Sequence, residues 1–543
     1  MRKTKQLNRL TVALLACAMV GLTACGGGSA ASTETTAAQT SDTTAAAAGE
    51  TSAAEIPTTV VIGVSGDLAT LDPMDQMSTS TGDFFKSVGT QLYKRDENFE
   101  LVGDAATGYE QIDDLTWRFT LRDDINFING DHMTADDVKF SLERVAKDES
   151  LVANHYFNCI DHVDVVDEYT VDVVTTSPRP DMLSLVAMGS STILPKNWFE
   201  ENGIDAYIQA PVTSGQYQLK EWIPDDHYTL IPNPDYYGEP ATWEEVTYRI
   251  IPESSTRVAE LMTGGVDIIT NVPVNEWERV SGNTEGDGTS LVYGETSSIL
   301  LMILKLTEGR VCSDPAVREA IELAIDKEAI CEQLLQGAGT PTRTRIASSV
   351  PGHDESLFGP ENGNLYDPEK AKQILADAGY QEGELTLELT GSNNRYLMDN
   401  EIAQMIAAYI EAIGIHVNLE IVDSNVLSNM FSEKNIKDAF LVALSDGQYD
   451  GCYPLAQFCD PVRTEGMSDW NNPTAVELYQ QTRSEMDETK KYELSRQIQE
   501  ICAEERPQIA IAQLKAIFGV NNRFTFSPQM DSTVLPGEIS AAQ

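Results

Sequence analysis

Apolar and polar positions alternate with a period of two where Trp117, Phe119 and Leu121 stand against Arg118, Thr120 and Arg122. That alternation predicts a half-buried strand. Asn129 and Gly130 then supply a turn, because both residue types tolerate positive φ cheaply. Beyond the turn the period lengthens. Val138, Ser141, Leu142 and Val145 form one stripe of a helix, with Thr134 as its N-cap and Asp136 and Asp137 at the positive end of its dipole. Val163, Val165, Tyr169, Val171 and Val173 around the Asp167-Glu168 turn predict a hairpin, followed by short helical pieces over 181–188 and at Trp198. Strands are expected over 59–64, 246–251 and 266–269, with a helix over 255–262. Past Ser297 the chain reads as repeated helix and strand units, the mark of an α/β domain. Helices fall over 318–330, 367–380, 400–413 and 490–504, and strands over 385–389, 416–421, 439–444 and 509–511. Pro368 and Gly379 punctuate the start and end of the second of these helices.

The N-terminus carries a different pattern. Arg2, Lys3, Lys5 and Arg9 precede an apolar run over 10–24, about 15 residues at ~1.5 Å each, too short for a ~30 Å hydrocarbon core. This is the form of a signal peptide, 1–24. Residues 26–55 are almost wholly Gly, Ala, Ser, Thr, Gln and acid, a composition that buries too little apolar surface to offset its ordering entropy. The stretch 25–57 is read as a flexible linker spanning roughly 30 Å. The remaining body is too long for one small core, so at least two domains are expected.

The net charge of −48 argues against nucleic acid, which needs clustered Lys and Arg, and against adhesion to anionic lipid. A solvated acidic surface explains the charge without a cationic ligand. Six cysteines lie in the body, at 159, 312, 331, 452, 459 and 502, and none forms a C-x-x-C pair. Buried free thiols and a Cys452–Cys459 bridge are both open readings. The six histidines are scattered with no H-E-x-x-H, so neither a metal site nor a cofactor is expected. G-x-S-x-G, P-loop and strand-following G-x-G-x-x-G motifs are absent, which leaves a secreted acidic hydrolase as the weaker functional class.

As a string, 115–145 resembles the signature of the extracytoplasmic solute-binding proteins that serve oligopeptide, dipeptide and nickel ABC importers, the bacterial solute-binding protein family 5. Collinear matches support the resemblance: Leu71-Asp72-Pro73, Asn233-Pro234-Asp235-Tyr236, Gly264 to Asp267, 318–330 and 367–380. The family's Gly-Thr-Gly-Pro-Tyr is changed here to Thr213-Ser214-Gly215-Gln216-Tyr217. Leu22 to Cys25 resembles a bacterial lipobox, which makes Cys25 the site of lipid attachment. The resemblance implies an α/β, bilobal, periplasmic-binding-protein type II-like fold with an extra subdomain inserted in the first lobe. Lobe I would comprise 58–295 plus 506–543, with the insert at 91–204, and lobe II 296–505. It further implies an extracytoplasmic, lipid-anchored monomer that captures a peptide or other small solute between its lobes for a membrane permease and its ATPase subunits. A surface receptor or chemosensor with no transport role is the other alternative.

A binding cleft needs convergent polar groups and aromatic walls, and open α/β sheets present ligands at the carboxyl ends of strands. Two loops qualify. The first holds Asn393, Arg395 and Tyr396, where peptide-binding relatives often place an Arg that pairs with the ligand carboxylate. The second holds Asp446, Gln448 and Tyr449, where those relatives carry Trp-x-x-Asp with the Asp on the peptide amine. Here Leu444 replaces that Trp and an ungapped match puts Gly447 at the Asp position, so recognition of a free amine is in question. Trp470, within Trp470-Asn471-Asn472-Pro473, is a candidate wall.

Overall fold

The computed structural model describes residues 56–76, 78–393 and 395–542. The proposed signal peptide, Cys25 and nearly all of the linker lie outside the described residues. Among the described residues, no helix is long and apolar enough to cross a membrane.

An 11-stranded mixed sheet runs through the body. From one edge its order is His416–Asp423, Thr386–Asn393, Ala439–Leu444, Thr289–Leu304, Gln508–Asn521, Ile268–Ile269, Thr59–Val64, Glu245–Ile250, His227–Pro232 and Tyr217–Ile223, while Gly339–Pro341 pairs separately with Gln508–Asn521. Two long antiparallel strands, Thr289–Leu304 and Gln508–Asn521, join the halves. Their register slips between the pairs Glu295–Lys515 and Ile299–Gln513. Partners change over at that slip. On one side Gly519 and Val520 pair with Ile269 and Ile268, and on the other Ile299 to Leu304 pair with Ala439–Leu444.

The long strands owe their length to being paired and covered throughout. Ile299, Leu301 and Ile303 pack with Phe440, Val442 and Phe458 on one face. Leu300, Met302 and Leu304 pack with Ile321, Ile406 and Ile511 on the other. A strand buried on both faces reads as a continuous apolar run. The second crossing strand extends far beyond the expected 509–511, through Gln513, Lys515 and Gly519, because its neighbours satisfy the backbone of these weak strand formers. Thr386–Asn393 likewise outruns the expected 385–389. Parallel pairing to His416–Asp423 continues as far as Asn393, so the candidate loop begins only after that residue.

The insert has its own four-stranded antiparallel sheet, ordered Ala106–Gln111, Thr116–Leu121, Thr170–Thr175 and Ile160–Asp167. Trp117, Phe119 and Leu121 are buried in one core with Val138, Leu142 and Val145 of the helix Ala135–Lys147. Thr134 caps that helix, its backbone N–H donating to the Asp137 carboxylate at 2.8 Å. Arg144, near the helix end, forks onto both carboxylate oxygens of Asp72 at 3.0 and 2.6 Å. That pair ties Leu71-Asp72-Pro73 to the insert, so two of the sequence motifs are halves of one scaffold joint.

All six body cysteines are buried and free. Cys452 and Cys459 are therefore not bridged. Cys459 instead lies beside Cys502 on the helix Glu488–Glu505, and that neighbour and burial raise the Cys502 thiol well above its ordinary value.

Candidate functional site

The strand Ala439–Leu444 ends in the loop 445–453, Ser-Asp-Gly-Gln-Tyr-Asp-Gly-Cys-Tyr. Its shape is fixed from within. Both carboxylate oxygens of Asp446 accept loop N–H groups, Oδ1 from Gln448 at 2.9 Å and Oδ2 from Asp450 at 3.0 Å. Asp450 accepts from the Cys452 N–H at 2.9 Å and pairs with Lys491 at 2.5 Å. Gly451 admits no side chain, because a Cβ there would meet the Pro351 carbonyl oxygen at 2.0 Å. Tyr449 takes φ +54, a left-handed conformation unusual for a residue of its bulk.

The same loop is held from both sides. Ser297, inside the register slip of the first crossing strand, donates its hydroxyl to the Asp446 carbonyl at 3.2 Å and accepts the Asp446 N–H at 3.1 Å. From the opposite half, Arg95 donates to the Gln448 carbonyl at 3.0 Å. The Arg95 guanidinium also lies 5.1 Å from the Tyr449 ring centre, and that ring meets Phe99 edge-on at 4.6 Å. One loop thus bonds both the first crossing strand and Arg95 of the opposite half.

A cavity opens on each side of it. The smaller, about 260 Å³, lies between the insert and the second lobe, with Tyr156, Arg179 and Asp181 on one wall and Tyr453, Arg463 and Arg483 on the other. The larger, about 890 Å³, is lined by Lys86, Arg95, Phe99, Tyr237, Tyr449 and Asp531 among others. Gln448 faces both. It is only 2% exposed, and neither of its amide atoms has a hydrogen-bond partner among the described residues. A buried polar atom left unpaired costs about 1–3 kcal/mol, so this amide is held ready for a partner.

Electrostatics in the loop follow from burial. Desolvation pushes Asp446 up to about 7, against the Gln448 N–H and the Arg345 guanidinium, which favour its charge. Burial in turn lowers Arg345 to about 10, and its Nη2 donates to the Ser445 carbonyl at 3.1 Å. Lys491 is desolvated too, which lowers it, but Asp450 and Cys452 together raise it overall.

The predicted residues fall in different places. Gln448 and Tyr449 line cavities, and Asp446 shapes their loop. Asn393 and Arg395 are exposed, Arg395 donating to the Ser428 hydroxyl at 2.6 Å, and Tyr396 packs against the second lobe's core. Trp470 is 5% exposed and donates its indole N–H to Glu505 at 2.7 Å. These four line neither cavity. Arg95, Tyr156, Arg179, Tyr453, Arg463, Arg483 and Lys491 escaped the sequence reading. Cations are scarce, 37 against 85 acids, yet these are dispersed along the chain and meet only in the fold. Among the described residues, no group of three His, Cys, Asp or Glu side chains could hold a metal ion.

Residues 100–465 match the family model of the bacterial extracellular solute-binding proteins, family 5 (middle region). The chain belongs to that family. Among its relatives is the glutathione-binding protein GsiB of Salmonella typhi, 27% identical over 67% of this chain and 70% of that protein. The oligopeptide-binding protein AppA of Bacillus subtilis is 24% identical over 82% of this chain and 84% of its own length. In solved structures the fold is similar to that of HbpA2 from Haemophilus parasuis, with a TM-score of 0.77 at 22% identity, covering 89% of this chain and all of that one. The fold is accordingly the bilobal, type II-like α/β architecture of this family, and the protein is a solute-binding protein.

Proposed function

We propose that this family member is the extracytoplasmic, lipid-anchored receptor of an ABC importer, capturing a peptide or related small solute between its lobes and passing it to a membrane permease driven by ATPase subunits. No bond is made or broken in this cycle. Cys25 carries the lipid, residues 25–57 form the tether, and the protein works as a monomer.

The observation that supports capture is the loop 445–453. It is hydrogen-bonded to Ser297 at the point where the two crossing strands slip register, and it touches Arg95 of the facing lobe. Solute lodged beside Gln448 and Tyr449 would contact both lobes at once, and such contact favours the closed state by its differential affinity. The hinge then lies at Glu295–Ile299 and Gln513–Lys515. Relatives named for glutathione, oligopeptide and nickel binding support a small polar solute. Small-angle scattering of the stripped protein, titrated with pooled short peptides and with glutathione, tests the reading. Compaction with a saturable midpoint is expected. A radius of gyration unchanged by every solute would remove the capture role.

A further inference from the structure

The charges around the smaller cavity do not cancel. Four cations line it, Arg179, Arg463, Arg483 and Lys491, against three carboxylates. Two cations are already neutralised: Arg179 by Asp181 at 2.5 Å and Lys491 by Asp450 at 2.5 Å. The third carboxylate, Asp460, caps its own short helix, accepting the Val462 N–H at 3.0 Å, and its charge also acts on Arg463 without forming an ion pair. Arg463 and Arg483 form no ion pair among the described residues. Arg463 is not idle in space, since its guanidinium lies 5.7 Å from the centre of the Tyr453 ring, which orients it along the cavity wall. Tyr453 in turn stacks at a tilt on Tyr156 of the insert, ring centres 5.7 Å apart.

The buried amide of Gln448, unpartnered at both atoms, borders the same cavity. On a chain of net charge −48, a cavity whose lining carries one net positive charge, with two arginines outside any ion pair, runs against the overall charge. Walls of low dielectric concentrate such a field on whatever enters. Guanidinium forks match the planar oxygens of carboxylates and phosphates, whereas a neutral solute would gain little from them. We infer that the solute carries an anionic group, a carboxylate or a phosphate, that is held by Arg463 and Arg483 in the cavity between insert and second lobe, with the Gln448 amide bonding the neutral polar group next to it. This subsite rests on the capture reading and specifies its solute class. It differs from the loop containing Arg395, which lines neither cavity.

Calorimetry of the full chain, stripped of bound solute, tests the inference with glutarate, with inorganic phosphate, and with glutaramide as the uncharged isostere, all at one ionic strength. Glutarate or phosphate should bind and glutaramide should not, and whichever anion binds identifies carboxylate or phosphate as the source of charge. Arg463→Gln and Arg483→Gln should each weaken the anion by roughly 10-fold or more, with Arg463→Lys recovering part of the loss. Both arginines are exposed, so folding is expected to survive, and circular dichroism checks it. Failure of both anions to bind the wild type, or equal binding by the Arg463→Gln/Arg483→Gln protein, overturns the subsite. Native mass spectrometry separates this from failure of capture. A co-purified solute retained equally by wild type and double variant would remove the anion subsite and leave solute capture standing.

Discussion

Lys491→Met is the most informative single change, because Lys491 anchors the site loop from below. Its side chain is 2% exposed and that of Asp450 is 7% exposed, and the two meet at 2.5 Å. Two further contacts run parallel to this pair: Ser495 donates to the Gly451 carbonyl at 2.6 Å, and the Cys452 thiol faces the Lys491 carbonyl at 3.9 Å. Methionine keeps the volume and loses the charge, leaving the buried Asp450 carboxyl without its cation and with the Cys452 N–H as its remaining donor among the bonds described above. Breaking a buried pair by removing one partner costs about 3–5 kcal/mol, mostly from the charge left behind. Asp450→Asn in the same chain relieves that charge, so the double variant should be less destabilised than the two single changes added together, by about 2–3 kcal/mol of coupling. Urea melts followed by circular dichroism give the four stabilities of the cycle. Solute affinity should fall in Lys491→Met and partly return in the double variant, since the loop regains a neutral fit. A single-variant cost under about 1 kcal/mol, or additive effects within ~0.5 kcal/mol, would show that the pair is solvated and does not hold the loop.

Phe119→Ala removes a fully buried ring from the core of the insert and should cost about 3–5 kcal/mol in a denaturant melt. Both oxygens of Asp446 are already engaged by loop N–H groups, so a peptide and its N-acetylated form should bind the wild type within about 3-fold of each other by calorimetry, while Asp446→Ala should weaken both by distorting the loop. Glu322 is desolvated, but Lys327, Arg343 and Arg506 outweigh that and pull it from 4.5 down to about 2. Its contribution, about 3 kcal/mol, is therefore present above pH ~4.5 and is lost as pH falls through about 2. Stability measured across that window should drop in the wild type by about 3 kcal/mol more than in Glu322→Gln, in which Glu143 and the other lowered carboxylates still titrate, and the neutral-pH stability of that variant is lower by about 3–5 kcal/mol. Cys25→Ala should move the protein from the membrane fraction to the soluble one on cell fractionation, and unchanged membrane association would remove the lipid anchor.

Local chemistry accounts for what was legible in the chain. Period-two alternation set Trp117, Phe119 and Leu121 facing one core, and the 3.6-residue stripe with its Thr134 cap set the helix that covers them. Both signals depend on residues close in sequence, as do the strands over 59–64 and 439–444, which the structure reproduces at the expected bounds. Motif strings told the family without locating its chemistry. Asp72 and Arg144 show why: the matched residues build a scaffold joint far along the chain from Gln448. The length of Gln508–Asn521 was hidden because Gln513, Lys515 and Gly519 interrupt its apolar positions, and backbone pairing to strands distant in sequence carries the strand through them. Trp470 looked like a cleft wall because an aromatic next to a loop fits either role, and only its bond to Glu505 and its neighbours in the core separate the two. The cavity arginines were invisible for a simpler reason. Residue 179 and residues 463 and 483 come from opposite lobes, and a field is the sum of charges over distance in space, a quantity that sequence order does not contain.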